Sequence, residues 1–300
     1  MVNIAYKVAG RVSKGRVSVS NKVGVLYVVA TPIGNLADIT HRAVQLLSKV
    51  DLIAAEDTRH ARKLLHHFGV ATKMIAFHDH NELSQIPKLL GLLHQGKCIA
   101  LVSDAGTPLI SDPGFKLVCA VHTSQIPVVP VPGPCAAIAA LSVAGLPTDS
   151  FAFDGFPPSK AVARAAFFAE RQRERRTLVF YESPHRLMAS LRAMADAFGK
   201  DRPAVLAREL TKKFETIRHA SLGELCDWVA ADKDQQRGEF VVIVGGARLV
   251  GDVTDDTEAE RVVRILLHEL PVKQAATLAA EITNQPRRRL YRLALDLADD

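Results

Sequence analysis

Between Val25 and Val131 five short apolar runs alternate with segments of helical periodicity. The runs are "VLYVVA", "DLIAA", "KMIAF", "CIALVS" and "PVVPV". Each is too short for a helix, and β-branched residues are frequent, the pattern of strands buried on both faces. The segments "DITHRAVQLLSKV", "ARKLLHHFG", "IPKLLGLLHQG" and "GFKLVCAVHTSQ" read as the intervening helices, and "GPCAAIAALSVAG" as one more after the last strand. Asp38 or Thr40 is expected to cap the first helix and Gly69 to close the second. This alternation specifies an α/β fold: a mostly parallel sheet with helices on both faces.

In such sheets ligands collect outside the carboxyl ends of the strands. Every run here ends in polar or turn-forming residues: "TPIGN", "EDTRH", "HDHNE", "SDAGTPLISDPG" and "PGPCA". The stretch Leu101–Gly114 is the densest, with two prolines, two aspartates and two serines in fourteen residues. Core packing does not ask for that composition. Asp104, Thr107, Ser111 and Asp112 suit a compact polar ligand, and Gly106 and Gly114 allow close backbone approach. "VPGPCAA" offers free N–H groups at a helix start.

The boundary of this first domain is placed near Leu146, giving a domain over 23–145. A second α/β domain follows over 146–247, from "TLVFYESP" to "GEFVVIVGG", with strands at hairpin-like spacing. "ARLVGDVTDDT" reads as a polar linker. Residues 257–300 form a helical tail of three periodic segments, the last two separated by a short turn around Asn284. Pro286 fits a first helical position. Short helix, tight turn and basic helix have helix-turn-helix spacing, though a plain three-helix cap has the same pattern.

The chain carries a net charge of +6, unevenly spread. No acid precedes Asp38, while Lys7, Arg11, Lys14, Arg16 and Lys22 do, and residues 1–22 read as a disordered basic extension. Arg287, Arg288 and Arg289 form a second basic cluster. Basic ends suggest a polyanion partner, and nucleic acid is the expectation. No apolar run reaches the length of a membrane helix, and no signal-peptide cleavage pattern follows "VGVLYVVA". The four cysteines contain no C-x-x-C pair and read as small buried hydrophobes of a reducing, cytoplasmic chain. Neither G-x-x-x-x-G-K-[ST] nor G-x-G-x-x-G occurs, so the usual phosphate loops are absent. His66-His67 and His78/His80 lack the partners of a zinc site, and no metal is expected.

Taken together, "LYVVATPIGNLADIT", "AAEDTRH", "LVSDAGTPLISDPG", "PVPGPCAAIAALSVAGLPTDSFAFDGFPP", "LVFYESPHRL", "ARELTKKFE" and "GEFVVIVGG" resemble the small-subunit ribosomal RNA methyltransferase I family of the tetrapyrrole methylase superfamily. The resemblance runs from about Val25 to Gly246 and on into the tail. It implies two α/β domains with S-adenosylmethionine in a cleft between them, and a homodimer. It implies methyl transfer to the ribose 2′-oxygen of a cytidine in the decoding region of 16S rRNA, with the assembled 30S subunit as partner. Tetrapyrrole-modifying relatives carry Gly-Asp-Pro where this chain has Gly106-Thr107-Pro108, which argues against a porphyrinoid substrate.

On this resemblance, cofactor contacts are expected from Pro32 and Gly34, from Asp104, Ala105, Gly106, Thr107, Ile110, Ser111 and Asp112, from Pro132, Gly133, Cys135 and Ala136, and from Tyr181. A ribose hydroxyl is a poor nucleophile, so an oriented proton acceptor helps. Glu182, Asp57 and Asp104 are the catalytic candidates, with Glu56 also at a strand end. Asp57 beside Arg59 reads equally as a helix cap with an ion pair. Arg59, Arg186 and Lys212, with His185 and Arg208, are expected to clamp RNA phosphates, as are Arg287, Arg288 and Arg289. Two other readings compete: a methylase of tetrapyrrole or corrin precursors, and a non-enzymatic helix-turn-helix binder of nucleic acid.

Overall fold

A computed structural model describes residues 23–247, 254–283 and 285–298. The basic stretch 1–22, the linker residues 248–253, Asn284 and residues 299–300 lie outside the described residues. The described chain divides into two compact units between Cys135 and Ala136.

The first unit has the strands β1 (Leu26–Val29), β2 (Leu52–Ala55), β3 (Met74–Ala76), β4 (Ile99–Val102) and β5 (Val128–Val131). They form one all-parallel sheet in the order β3-β2-β4-β1-β5. The crossovers contain α1 (His41–Leu47), α2 (Thr58–His67), α3 (Glu82–His94) and α4 (Phe115–Thr123). One face of the sheet packs Val29, Ile53, Ala55, Ala100 and Val102 against Ala43 and Leu47 of α1 and Ala61 and Leu65 of α2. The other face packs Leu26, Ala54, Ile99 and Leu101 against Leu89 and Leu93 of α3 and Leu117 and Val121 of α4. This double burial is why the strands read as continuous apolar runs.

Thr40 is the cap of α1, its hydroxyl accepting from the Ala43 N–H at 3.1 Å, and Asp38 lies in a preceding 3-10 turn. Gly69 follows α2 with φ +67°. The sequence pattern starts α3 at Ile86, but the helix begins at Glu82 and runs through Pro87. The turn Phe77–Asn81 supplies the reason: Glu82 N–H donates to the His78 carbonyl and Gln85 N–H to the Asn81 carbonyl, so the first turn is closed before the proline.

The second unit begins with α5 (Ala136–Val143) and continues through β6 (Phe151–Phe153), α6 (Ala161–Glu170), β7 (Thr177–Glu182) and α7 (Leu187–Phe198). Then come β8 (Pro203–Arg208), β9 (Thr216–Ser221), α8 (Leu222–Ala231) and β10 (Phe240–Val244). The sheet order is β6-β7-β10-β8-β9, parallel only between β6 and β7. The unit starts ten residues before Leu146 because α5 packs against β7 and β10. Its core joins Phe168, Phe180, Leu191, Phe198, Leu206 and Val242, and each such side chain contributes about 1.5–3 kcal/mol by leaving water.

Three further helices close the chain: α9 (Thr254–Leu267), α10 (Val272–Thr283) and α11 (Arg287–Ala298). They share an aliphatic core that includes Ala259, Val263, Ala276, Ala279, Leu290 and Ala294. Among the described residues no helix is long and apolar enough to cross a membrane. All four cysteines are free; Cys119 is exposed on α4, against the expectation of burial, because it lies on the outer face of that helix.

Candidate functional site

The polar residues predicted at strand ends do meet at one edge of the first sheet, held there by long-range hydrogen bonds. Thr31, buried just past β1, exchanges backbone bonds with Gly106: its N–H donates to the Gly106 carbonyl at 2.8 Å, and the Gly106 N–H returns to the Thr31 carbonyl at 3.1 Å. Ser103 and Thr31 both aim their hydroxyls at the Gly106 carbonyl, at 3.4 Å each. The Thr107 hydroxyl donates to the Pro134 carbonyl at 2.9 Å. The Asp57 N–H donates to Asp104 Oδ1 at 2.9 Å, and the Asp104 N–H approaches Glu56 Oε2 at 3.4 Å. The ends of β1, β2, β4 and β5 are thereby tied into one framework.

The loop after β4 is unusual in its backbone. Gly106 has φ +86°, and Leu109 and Ser111 sit at +73° and +66°. Non-glycine residues hold such angles only where surrounding contacts impose them, at about 1–3 kcal/mol each, and they cluster at ligand sites. The resulting surface carries Gly34, Ala105, Ile110, Ser111, Pro132 and Gly133 exposed, with Asp104, Thr107, Asp112 and Cys135 half-buried and Pro32 buried. Twelve of the expected cofactor residues therefore lie on this one edge. Ala136 and Tyr181 belong to the second unit, where the Tyr181 hydroxyl accepts from the Ala137 N–H at 3.1 Å and its ring packs edge-on against Phe153 and Phe156.

The edge is acidic. Burial, opposed by the Asp104 N–H and reinforced by the charges of Asp104 and Asp79, raises the Glu56 carboxyl above its usual range. Burial first, then the charge of Glu56, pushes Asp112 up to about 6 despite a hydrogen bond with Ser103. Carboxylates crowded in this way favour a cationic ligand that would relieve them. Asp57 is the opposite case. It caps α2 and takes a two-pronged contact from Arg59, which holds it at about 2. This is the geometry of a helix cap with an ion pair.

Glu182 lies at the end of β7. It is buried, its carboxylate accepting from the Ser190 hydroxyl and from the Ser183 N–H at 2.8 Å, with Arg186 Nε at 3.4 Å. Expected as a proton acceptor at a strand end, it ties the end of β7 to Ser190 of α7. Arg186 is engaged in that contact. Lys212 bridges Glu209 at 2.8 Å and Glu239 at 2.7 Å. Arg208 is buried and donates to the carbonyls of Arg237 and Phe214. Arg59 is exposed beside Asp57. Arg287, Arg288 and Arg289 are exposed in the first turn of α11, a turn that itself contains no acidic residue. Thr31, Ser103 and Pro134 were not singled out from sequence. Their signal is a hydroxyl directly after an apolar run, or a proline in the turn that follows one.

A family model described as Tetrapyrrole (Corrin/Porphyrin) Methylases matches residues 25–226. Ribosomal RNA small subunit methyltransferase I of Pseudomonas aeruginosa is 56% identical over 273 residues, covering 91% of this chain and 97% of that protein. The protein of that name from Vibrio cholerae is 52% identical over 279 residues, covering 93% and 97%. The chain belongs to the ribosomal RNA small subunit methyltransferase I family of tetrapyrrole methylases.

A model described as RsmI C-terminal HTH domain matches residues 253–298, the segment that contains α9–α11. Among solved structures, uroporphyrin-III-C-methyltransferase from Thermus thermophilus matches with a TM-score of 0.54 at 20% identity, over 77% of this chain and 98% of that one. A diphthine synthase matches with a TM-score of 0.54 at 11% identity, over 74% and 90%. At these identities the likeness is one of fold. Within the family frame, Thr107 acquires a specific meaning: its hydroxyl donates to a carbonyl, which an ionised aspartate at that position could not do.

Proposed function

We propose that this chain is an S-adenosylmethionine-dependent methyltransferase that modifies small-subunit ribosomal RNA, at the ribose 2′-oxygen of a cytidine in the decoding region of 16S rRNA. The observation that carries the reading is identity along nearly the whole chain to relatives bearing that name. The same reading takes the assembled 30S subunit as substrate, a homodimer as the working form and the cytoplasm as the place of action. The exposed arginines of α11 support a polyanionic partner.

The residues fit the cofactor. Gly106, Pro134 and Thr31 form a fixed turn with carbonyls and a positive-φ glycine, and Glu56, Asp104 and Asp112 supply negative charge for a cationic group. Pro32, Gly34, Ala105, Gly106, Ile110, Ser111, Pro132 and Gly133 would form the walls. When bound, S-adenosylmethionine supplies a methyl group on a sulfonium centre that is already a good electrophile. The protein's task is then to hold the attacking oxygen in line and keep water out. Asp57 and Glu182 are committed to capping and to a buried ion pair. Asp104 gives one oxygen to the Asp57 N–H and retains the other, and we assign it as acceptor of the ribose proton.

Labelled methyl transfer tests this. Wild-type protein should label 30S subunits that lack the mark, and digestion should release 2′-O-methylcytidine. Label confined to a corrin or porphyrin acceptor, or to a nucleobase, overturns the proposal.

A further inference from the structure

The segment Glu209–Glu215 follows β8, buries Leu210 and holds strained backbone on either side of it. Glu209 and Thr211 have φ +50° and +64°, and a β-branched residue in this region is a genuine outlier. The strain is held by many contacts. The Glu209 N–H donates to the Glu239 carbonyl, the Glu239 N–H donates to Glu209 Oε1, and Lys212 spans both carboxylates. The Thr211 N–H donates to Glu215 Oε2 at 2.6 Å. Buried Arg208 reaches up from the strand and binds the Phe214 carbonyl at 3.1 Å.

What this framework displays is a single aromatic ring. Phe214 is 62% exposed, between exposed Lys213 and Glu215. The Lys213 ammonium lies 5.5 Å from the ring centroid. Exposed Arg218 and His219 follow on the edge strand β9. The register places the loop beside other functional candidates: Phe240 of β10 pairs with Arg208 on one side and with Glu182 on the other. The loop and the Ser183–Arg186 turn, with its exposed His185, thus leave the same end of the sheet, two strand spacings or about 10 Å apart.

An exposed ring with a lysine beside it, on a backbone fixed in advance, matches what single-stranded RNA requires. Every base has a stackable face, and the neighbouring phosphate wants a cation. We infer that Phe214 is a stacking platform for an unpaired base of the RNA substrate, with Lys213 on the adjoining phosphate. This rests on the reading of the chain as an rRNA methyltransferase and adds a contact outside the cofactor edge.

The test uses Phe214→Leu, which keeps an apolar side chain and removes the ring, and Phe214→Trp, which keeps stacking and adds a reporter. For Phe214→Leu the KM for 30S subunits should rise about 5- to 100-fold, the range of one lost base stack, while cofactor affinity by calorimetry and thermal unfolding stay at wild type. The indole of Phe214→Trp should be quenched by a short single-stranded RNA and not by the same RNA as a duplex, beyond the change shown by wild type, whose one tryptophan is Trp228. A wild-type KM for Phe214→Leu, or an indole indifferent to single-stranded RNA, overturns the inference. So does a change in sedimentation of Phe214→Leu, which would assign the ring to a contact between copies. If wild-type protein methylates no RNA, the enzymatic reading fails, and the quenching result still decides the platform.

Discussion

Thr107 donates its hydroxyl to the Pro134 carbonyl at 2.9 Å, joining the loop after β4 to the turn after β5 across 27 residues of sequence. Thr107→Val keeps the shape and removes the donor, leaving a half-buried carbonyl unpaired. Cofactor affinity should fall about 2- to 10-fold, the range of one net hydrogen bond, and Thr107→Ser should restore most of it. Isothermal calorimetry with S-adenosylmethionine measures this; a valine variant that binds like wild type would show that the bond does not shape the site.

Gly106 sits at φ +86° and is paired with Thr31 through both backbone groups. Gly106→Val imposes about 1–2 kcal/mol of left-handed strain on an L side chain and brings a β-branched side chain toward Ile33, whose Cγ2 is 3.4 Å from the position of a Cβ. We expect cofactor affinity to drop at least about tenfold with the melting temperature lowered by only a few degrees. Retained affinity in the folded variant would remove this loop from the cofactor site.

Asp112 gives a pH signature. Its carboxyl is raised from 3.8 to about 6 in the folded chain, chiefly by burial, so between those values the native state holds a proton that the unfolded chain has lost. The group's contribution to stability is full below about pH 4 and is lost as pH rises through about 6. Asp112→Asn is neutral throughout. Its melting temperature should therefore gain on wild type progressively from pH 4 to pH 7. A difference between the two that does not vary over this window would exclude the raised carboxyl.

Glu182→Gln separates a structural carboxylate from a base. The Ser190 hydroxyl, the Ser183 N–H and Arg186 would all lose a charged acceptor in a buried position. Urea unfolding should show a loss of about 2–4 kcal/mol, and methyl transfer per folded molecule should change less than tenfold. A fall of about 10²–10⁴-fold at unchanged stability would restore Glu182 as the base.

The exposed arginines of α11 should act through charge. Replacing Arg287, Arg288 and Arg289 with alanine should reduce the salt dependence of RNA binding by about 0.7–0.9 of a slope unit per lost phosphate contact, with the helical circular dichroism intact. An unchanged slope in filter binding between 50 and 200 mM salt, a range over which such contacts lose most of their strength, would make the tail a structural cap.

The legible part of this chain is its local pattern. Runs such as "CIALVS" are strands because all four residues of β4 are buried between two helical layers, and burial on both faces leaves a continuous apolar signature. Thr40 as a cap and Arg287–Arg289 as a surface cluster were legible for the same reason: each depends on residues within one helical turn. The polar strand ends could be placed at one edge of the sheet, since parallel topology alone puts those ends together.

The roles of individual carboxylates were decided elsewhere. Asp57 meets Asp104 across 47 residues, and Thr31 meets Gly106 across 75. Such pairings follow from the strand order β3-β2-β4-β1-β5, which no local window encodes. Asp112 is raised because burial and Glu56 surround it. Glu182 is buried against Ser190 because α7 brings that residue over it. The sequence by itself determined where strands, helices and polar turns fall, because hydrophobic periodicity and capping are local. Only the tertiary structure decided which acids are buried, paired or left with a free oxygen, because desolvation and Coulomb energy depend on neighbours that are distant along the chain.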